Sequence, residues 1–410
     1  MSTAPPDPLP ARVDLRKEWD YVAGVFAGSG VGYLGTAGAP VIVAALIEAG
    51  LDTKQAGDLG TIELMTLAAT SSVVMPLVTW ISHRRLMMFG AVMAVVGLAI
   101  STASEGFAAM ALGRVLTGSG SGIAISGANA AVAARGDAER VFAVIWTAGG
   151  AITAALAYGL PFVTADGNYP MGFGVLLVLC LAALPLMRWV PHARAPVSEP
   201  IEPEPGASGV VEPVERVATG GTLFTPAVVA ALAGIFIYSL AETALWNFGY
   251  YLPVEAGVPE ELVGAILGIT VLVGLGGGAF AAWLGTRVGR LLPIVAGSLM
   301  SVAGRWLWIQ SSTAEMVFLA GLLWGIGYYF VTPYQVGPLA AIDRTGRLAV
   351  AAGAATNVGF ALGPGIAGRV LQSFEPEAFL YVVVGGTAAS LVLLLPLAIQ
   401  VDRSGDGRRS

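Results

Sequence analysis

The chain has 410 residues, of which 56% are hydrophobic and only 12% charged, against about 25% charged in a soluble globular protein. A formal charge of −6 with no basic block excludes a nucleic-acid partner, and a single cysteine, Cys180, excludes a disulfide framework or a cysteine-rich zinc site. Both histidines, His83 and His192, fall in expected loops, so no metal and no cofactor is expected, and the composition is that of an integral membrane protein.

Residues 1–18 are polar and Pro-rich and lack the pattern of a cleaved signal peptide. The first apolar segment is too long for one and is expected to remain as an anchor. A helix needs about 20 apolar residues to cross a bilayer core, and charge, Pro and Gly divide the chain into twelve such spans. Six fall at 19–47, 57–82, 86–104, 107–134, 139–164 and 170–190. Six more fall at 225–253, 260–285, 291–311, 315–340, 347–371 and 377–400. Between them, 191–224 contains "PHARAPVSEPIEPEPGASGVVEPVERVATGG", whose Pro, Glu and Ser cannot build a packed core. The expected organisation is a tail (1–18), a six-helix bundle (19–190), a linker (191–224), a second bundle (225–400) and a tail (401–410).

The basic residues set the orientation. With the N-terminus in the cytoplasm, seventeen of the 21 Lys and Arg lie on the cytoplasmic side. Lys54 alone falls in an outer loop, and Arg114, Arg305 and Arg369 fall within spans. Short-loop bias of this kind places both termini, the tails and the linker in the cytoplasm.

"MPLVTWISHRRLMMFG" (75–90) and "AWLGTRVGRLLPIVAG" (282–297) align without a gap, pairing Leu77 with Leu284, Thr79 with Thr286 and Gly90 with Gly297, 207 residues apart. Arg140 and Arg347 pair at the same offset. Two halves related in this way read as parallel repeats about an axis along the membrane normal.

The repeated turn resembles the loop signature of the major facilitator superfamily (MFS), roughly Gly-x-x-x-Asp-Arg-x-Gly-Arg-Arg. The second copy keeps Arg287, Gly289 and Arg290, with Thr286 where the acid belongs. The first has Thr79, Trp80 and Ser82 at the Asp, Arg and Gly positions and keeps only the basic end, His83, Arg84 and Arg85. In the family that acid helps latch the halves when the transporter faces outward, and both copies here lack it. "RVLTGSGSG" in span 4, with Arg114, Gly118, Gly120 and Gly122, resembles the family's Arg-x-x-x-Gly-x-Gly signature. "GFALGPGIAG" in span 11, with Gly359, Gly363 and Pro364, resembles the Gly-x-x-x-Gly-Pro core of its antiporter motif, which the family carries in span 5. Each glycine also has a packing reading, because small residues let membrane helices approach closely. The resemblance implies an all-α fold of 12 transmembrane helices in two pseudo-symmetric six-helix bundles, with spans 1, 4, 7 and 10 lining a central cavity.

Ionisable groups inside spans are costly and mark candidate sites. Glu242 in span 7 is deep, its mate at the 207 offset is Gly35, and it is expected to couple protons or anchor a cationic cargo group. A neutral, hydrogen-bonded structural role is the alternative. Arg114 is expected to bind an anion, to pair with an acid and modulate proton affinity, or to snorkel. In proton antiporters of the family the arginine of this signature is tied to proton coupling. Glu63 and Arg305 lie about six residues, roughly 9 Å, from outer helix ends, so snorkelling is the favoured expectation for both, with a functional role as the alternative. Tyr238, Trp246 and Asn247 of span 7, with Trp324, Tyr328 and Gln335 of span 10, suit an amphipathic organic molecule. Tyr250 and Tyr251 are expected in an interfacial aromatic belt.

The expected function is secondary active transport of a small, amphipathic organic molecule by alternating access, as proton-coupled efflux. Proton symport of a sugar, organic acid or peptide is the alternative, with a membrane enzyme or sensor more remote. No GxxxxGK[ST] element supports ATP-driven pumping, and no intramembrane nucleophile–base set supports an enzyme. The expected partners are cargo, protons and the lipid of the inner (plasma) membrane, around a monomer.

Overall fold

The computed structural model describes residues 15–134, 138–191, 223–343, 346–374 and 376–406. Most of the expected tails and linker therefore lies outside the described residues. Long helices dominate: α1 (Leu15–Glu48), α2 (Thr53–Val74), α3 (His83–Ala103), α4 (Phe107–Ala133), α5 (Ala138–Gly159) and α6 (Tyr169–Ala183). The second half supplies α7 (Pro226–Phe248), α8 (Glu260–Leu284), α9 (Leu291–Ile309), α10 (Ala314–Ile342), α11 (Arg347–Ser373) and α12 (Gly386–Asp406).

Local chemistry sets the boundaries. Gly50 (φ 103°) turns the chain out of α1. Asp52 then caps α2, its Oδ1 accepting from Gln55 N at 2.7 Å while the Gln55 side chain accepts from Asp52 N, a reciprocal capping box. Pro76 converts the end of α2 into a 3₁₀ turn, Met75–Thr79. Gly285 (φ 54°) and Gly289 (φ 73°) supply the left-handed backbone that ends α8 and turns into α9.

Eleven helices of the described residues are long and apolar enough to cross a membrane. The twelve expected spans differ from these by α4, which is a 27-residue helix all the same. Its five glycines and three serines dilute its hydropathy. Those same residues let α4 press against α2 and α3. A methyl group at Gly118 would fall 2.1 Å from the Glu63 carbonyl oxygen, and one at Gly120 would fall 2.4 Å from that of Gly90.

The 207-residue relation reappears in these contacts. Gly118 meets the Glu63 carbonyl, and Gly325 meets that of Thr270. Gly97 meets the amide of Thr117, and Gly304 that of Trp324. Gly57 meets the Pro364 carbonyl, and Gly264 that of Ala157. The first two contacts advance by 207 at both residues. In the third, which joins the halves, one residue advances by 207 as the other steps back by 207, so the repeat extends to backbone packing within and between the halves.

The first six helices meet the last six chiefly through α2 with α11 and α5 with α8, and less through α1 with α7. These approaches gather at the end where α1 gives way to α2. One apolar core is continuous across both halves there, from Leu46 and Leu160 to Phe248 and Val263. Towards the opposite end, a second core draws only on the last six helices, including Val228, Ile294, Phe330 and Leu397.

Candidate functional site

Glu242 is buried, one turn from Tyr238 and one from Trp246 on a single face of α7. Arg305 of α9 forms an ion pair with Glu242 Oε2, and its side chain is wholly buried. Trp324 Nε1 of α10 donates to the same carboxylate, at 3.0 Å to Oε2. Arg305 donates from its other terminal nitrogen to Thr387 Oγ1 of α12 and lies 4.4 Å above the Tyr238 ring centroid. The Tyr238 hydroxyl shares a 2.9 Å hydrogen bond with Ser301. Two neighbouring helices thus hold one carboxylate of α7, and a third steadies the arginine.

This corrects the expectation for Arg305. Snorkelling needs a side chain that can reach the surface, and Arg305 instead lies on the interior face of α9, where a carboxylate balances its charge. Glu242 in turn lies against the Arg305 guanidinium and accepts from Trp324.

The first half holds a second pair. Arg114 donates to Glu63 Oε2 at 2.9 Å, to Ser101 Oγ at 2.8 Å and to Thr117 Oγ1 at 3.4 Å, and its guanidinium lies 4.4 Å from the Phe173 centroid. Glu63 is buried as well, so its expected snorkelling is also overturned. Of the alternatives for Arg114, pairing with an acid is the one observed. The room for Glu63 comes from Gly35, where a methyl group would fall 1.9 Å from Oε1.

The expected aromatic residues do converge. Tyr238 and Tyr328 stack at 6.2 Å and 5°, and Trp324 packs edge-on against Trp246 (6.1 Å) and Trp308 (5.2 Å). Trp246 reaches the other half, donating from Nε1 to the Thr36 carbonyl of α1 at 2.8 Å. Asn247 is buried and spends its amide on the Thr243 carbonyl, with its oxygen turned towards Gly60 of α2. Gln335 stands apart, roughly 10 Å along α10 from Tyr328, its buried amide nitrogen without a protein partner. Tyr250 departs from the belt expectation. It is 3% exposed and donates to Glu260 Oε2 at 3.3 Å.

Sequence and fold comparisons bear on what such a site serves. The Major Facilitator Superfamily model matches residues 25–342, well over half the chain. The chain belongs to the Major Facilitator Superfamily. Among curated proteins it is 27% identical over 163 residues to Multidrug resistance protein 1 of Bacillus subtilis (strain 168), covering 38% of this chain and 42% of that relative. Its fold matches the nucleoside transporter NupG (TM-score 0.65, 13% identity, 93% of this chain and 98% of that one). It also matches a peptide transporter POT variant (0.68, 14%, 94% and 95%) and an inward-facing, unoccupied bacterial homologue of the human lysosomal transporter Spinster (0.62, 13%, 95% and 98%). The all-α fold is therefore that of the superfamily, and the chain is a multi-pass membrane protein of that transporter family.

The superfamily signatures can now be read as contacts. Gly122 packs on the Leu67 carbonyl of α2, completing the close packing of the α4 glycines. In α11, Gly359 and Gly363 face α7, against the Phe236 and Leu240 carbonyls, while the Pro364 carbonyl faces Gly57 of α2. Pro364 cannot bond the Phe360 carbonyl, and Thr243 Oγ1 of α7 satisfies it instead at 3.0 Å. In the α8–α9 loop, Arg287 donates to the Trp283 carbonyl and lies over that indole at 5.3 Å. In the first copy, Arg85 is exposed at the start of α3 and Arg84 is partly buried beside it.

Sequence reading missed Asp402. It accepts from Arg290 N at 2.9 Å and Leu291 N at 2.9 Å, capping α9 from the end of α12. A methyl group at Gly289 would fall 2.8 Å from its Oδ2, so the signature glycine makes room for it. This carboxylate caps α9 within its own half and does not reach the other one, and the only sequence signal for it was an acid in the expected tail.

Proposed function

We propose that this superfamily member exports a small, amphipathic organic molecule in exchange for protons, with Glu242 as the coupling carboxylate. The observation that carries the reading is the buried Glu242–Arg305 pair, facing Trp324 and Tyr238 beside the seam between the halves. A carboxylate so placed can exchange its guanidinium partner for a proton, or for a cationic group of the cargo, as the cavity opens. Tyr238, Tyr328, Trp246 and Trp324 offer stacking faces for the apolar part of the cargo. The name of the Bacillus subtilis relative supports the export direction.

In this reading residues 19–190 and 225–400 are the rocking bundles, joined by a cytoplasmic linker at 191–224, and both termini are cytoplasmic. The end where α1 meets α2 then faces outward and is closed, so the cavity opens inward. Arg114 acts through Glu63, and the transporter works as a monomer in the plasma membrane.

The test uses everted and right-side-out vesicles loaded with a panel of amphipathic dyes. Export predicts dye accumulation in everted vesicles that a protonophore abolishes, and about a tenfold or greater loss of gradient-driven uptake in Glu242→Gln with the protein still folded. Unchanged kinetics and pH dependence in that variant would remove Glu242 from the coupling step. Accumulation in right-side-out vesicles instead would reverse the direction.

A further inference from the structure

We infer that Asp58 of α2 and Arg369 of α11 form a charge latch that holds the two halves together at the end where α1 meets α2. The inference rests on the alternating-access reading above and extends it to residues not assigned there. Arg369 donates to Asp58 Oδ1 at 2.7 Å, and Lys54, one turn back on α2, reaches Oδ2 at 3.0 Å. One carboxylate thus holds a cation from its own half and a cation from the other. Among the ion pairs of the described residues, this is the one that joins the first six helices to the last six.

Neighbouring contacts make the pair part of a built seam. Thr53 Oγ1 donates to the Gly368 carbonyl at 3.0 Å and contacts Gln372 at 3.0 Å, and Gly365 N donates to Thr61 Oγ1 at 2.8 Å. A methyl group at Gly57 or Gly368 would fall 2.3 Å from a backbone oxygen across the seam. The helices could not be this close with larger residues, and the closeness brings Arg369 within reach of Asp58.

The pseudo-equivalent seam, α5 against α8, shows what the latch adds. There Ala265 stands for Asp58, Phe162 for Arg369, Gly268 for Thr61 and Tyr158 for Gly365. The same backbone approach recurs, Gly264 and Gly268 meeting the Ala157 and Ala154 carbonyls. Among the described residues no ion pair joins α5 to α8, so of two closures with one backbone geometry α2–α11 is the one tied by charge. Alternating access must part both seams, and at α2–α11 this separates Arg369 from Asp58. Conversely, the cytoplasmic loops lack the acid that latches the family's opposite closure. The latch and its absence both bias the resting protein towards closure at the α1–α2 end.

The experiment measures spin-label distances in full-length protein reconstituted in nanodiscs, with labels on Ala49→Cys and Ser373→Cys in a Cys180→Ala background. Both labelled positions are exposed, one in each half, at this end. The unaltered latch should give mainly the short distance. Asp58→Asn and Arg369→Gln should each raise the long-to-short ratio by about 1.4-fold to fivefold, the range for a partly exposed pair. The charge swap Asp58→Arg with Arg369→Asp should return part of that shift, which a merely misfolded variant would not. Distances in Asp58→Asn and Arg369→Gln matching the parent, while the parent shows both populations, would overturn the latch alone. A single population in every variant across pH 5 to 9 would overturn both the latch and the alternating-access reading beneath it.

Discussion

Glu242 and Arg305 in the second half, and Glu63 and Arg114 in the first, are each a carboxylate buried against a guanidinium, yet different helices supply them. The second-half pair comes from α7 and α9, equivalent by the repeat to α1 and α3, whereas the first-half pair comes from α2 and α4. At the mates of Glu242 and Arg305 stand Gly35 and Leu98; at those of Glu63 and Arg114 stand Thr270 and Gly321. The Glu63 carboxylate nevertheless fills the space that a side chain at position 35 would enter, so it sits where the Glu242 side chain begins in the other half. Both guanidiniums lie 4.4 Å from an aromatic ring. The repeat therefore preserves the helix contacts but not the charges, and each half holds its own buried charge pair between a different pair of helices. In the second half the other location is closed, because a methyl group at Gly321 would already meet Thr270 Oγ1 at 2.3 Å.

Breaking a pair on one side should give the largest effect. Arg305→Met leaves Glu242 buried without its cation and should cost about 3–5 kcal/mol in denaturant unfolding from mixed micelles. Arg305→Met with Glu242→Gln should recover most of that loss, since no charge is then stranded. An additive double variant would show that the two side chains do not act as a pair. The same cycle on Arg114 and Glu63 should give a coupling of the same sign, which asks whether both halves use the pair alike.

Next in size is the glycine that makes room for the first-half pair. Gly35→Ala should cost about 1–3 kcal/mol, as overpacking does, because its methyl group meets the Glu63 carboxylate. Adding Glu63→Ala should relieve most of the overpacking term. Gly30→Ala, with nothing within 4 Å of the added carbon, should change stability by less than about 0.5 kcal/mol. Equal costs at Gly35 and Gly30 would mean that the carboxylate is not confined as described.

Periodic signals were legible in the sequence, and pairwise ones were not. Apolar runs located every long helix, with bounds that miss by up to nine residues where short 3₁₀ or π turns interrupt the helix, as before α12. The offset of 207 read from two loops recurs in helix contacts such as Gly57–Pro364 and Gly264–Ala157. The aromatic grouping of Tyr238, Trp246, Trp324 and Tyr328 was also visible, because α7 and α10 each present one face. Partners were hidden. Glu63 and Arg114 are 51 residues apart and Glu242 and Arg305 are 63 apart, and distance from a helix end says nothing about which face a charge occupies. Asp402 was missed for the same reason, since its partners begin 112 residues earlier.

The smallest expected effects concern the hydroxyls that steady each arginine. Arg305 has one such acceptor, Thr387 Oγ1, whereas Arg114 has Ser101 Oγ and, farther off, Thr117 Oγ1. Thr387→Val should therefore strand a buried donor and cost about 1–3 kcal/mol, while Ser101→Ala should cost about 0.5–1.5 kcal/mol because Thr117 can take over. Measured in the same micelles, a larger loss at Ser101 would reverse the order and make the first-half arginine the more singly held of the two. Thr387 also belongs to α12, which carries Asp402 at its far end. Thr387→Val should loosen Arg305 without releasing the cap on α9, so proteolytic sensitivity of the α8–α9 loop should stay at the parent level. Cleavage that rises in step with the stability loss would show that α12 yields as a whole and not at one hydroxyl.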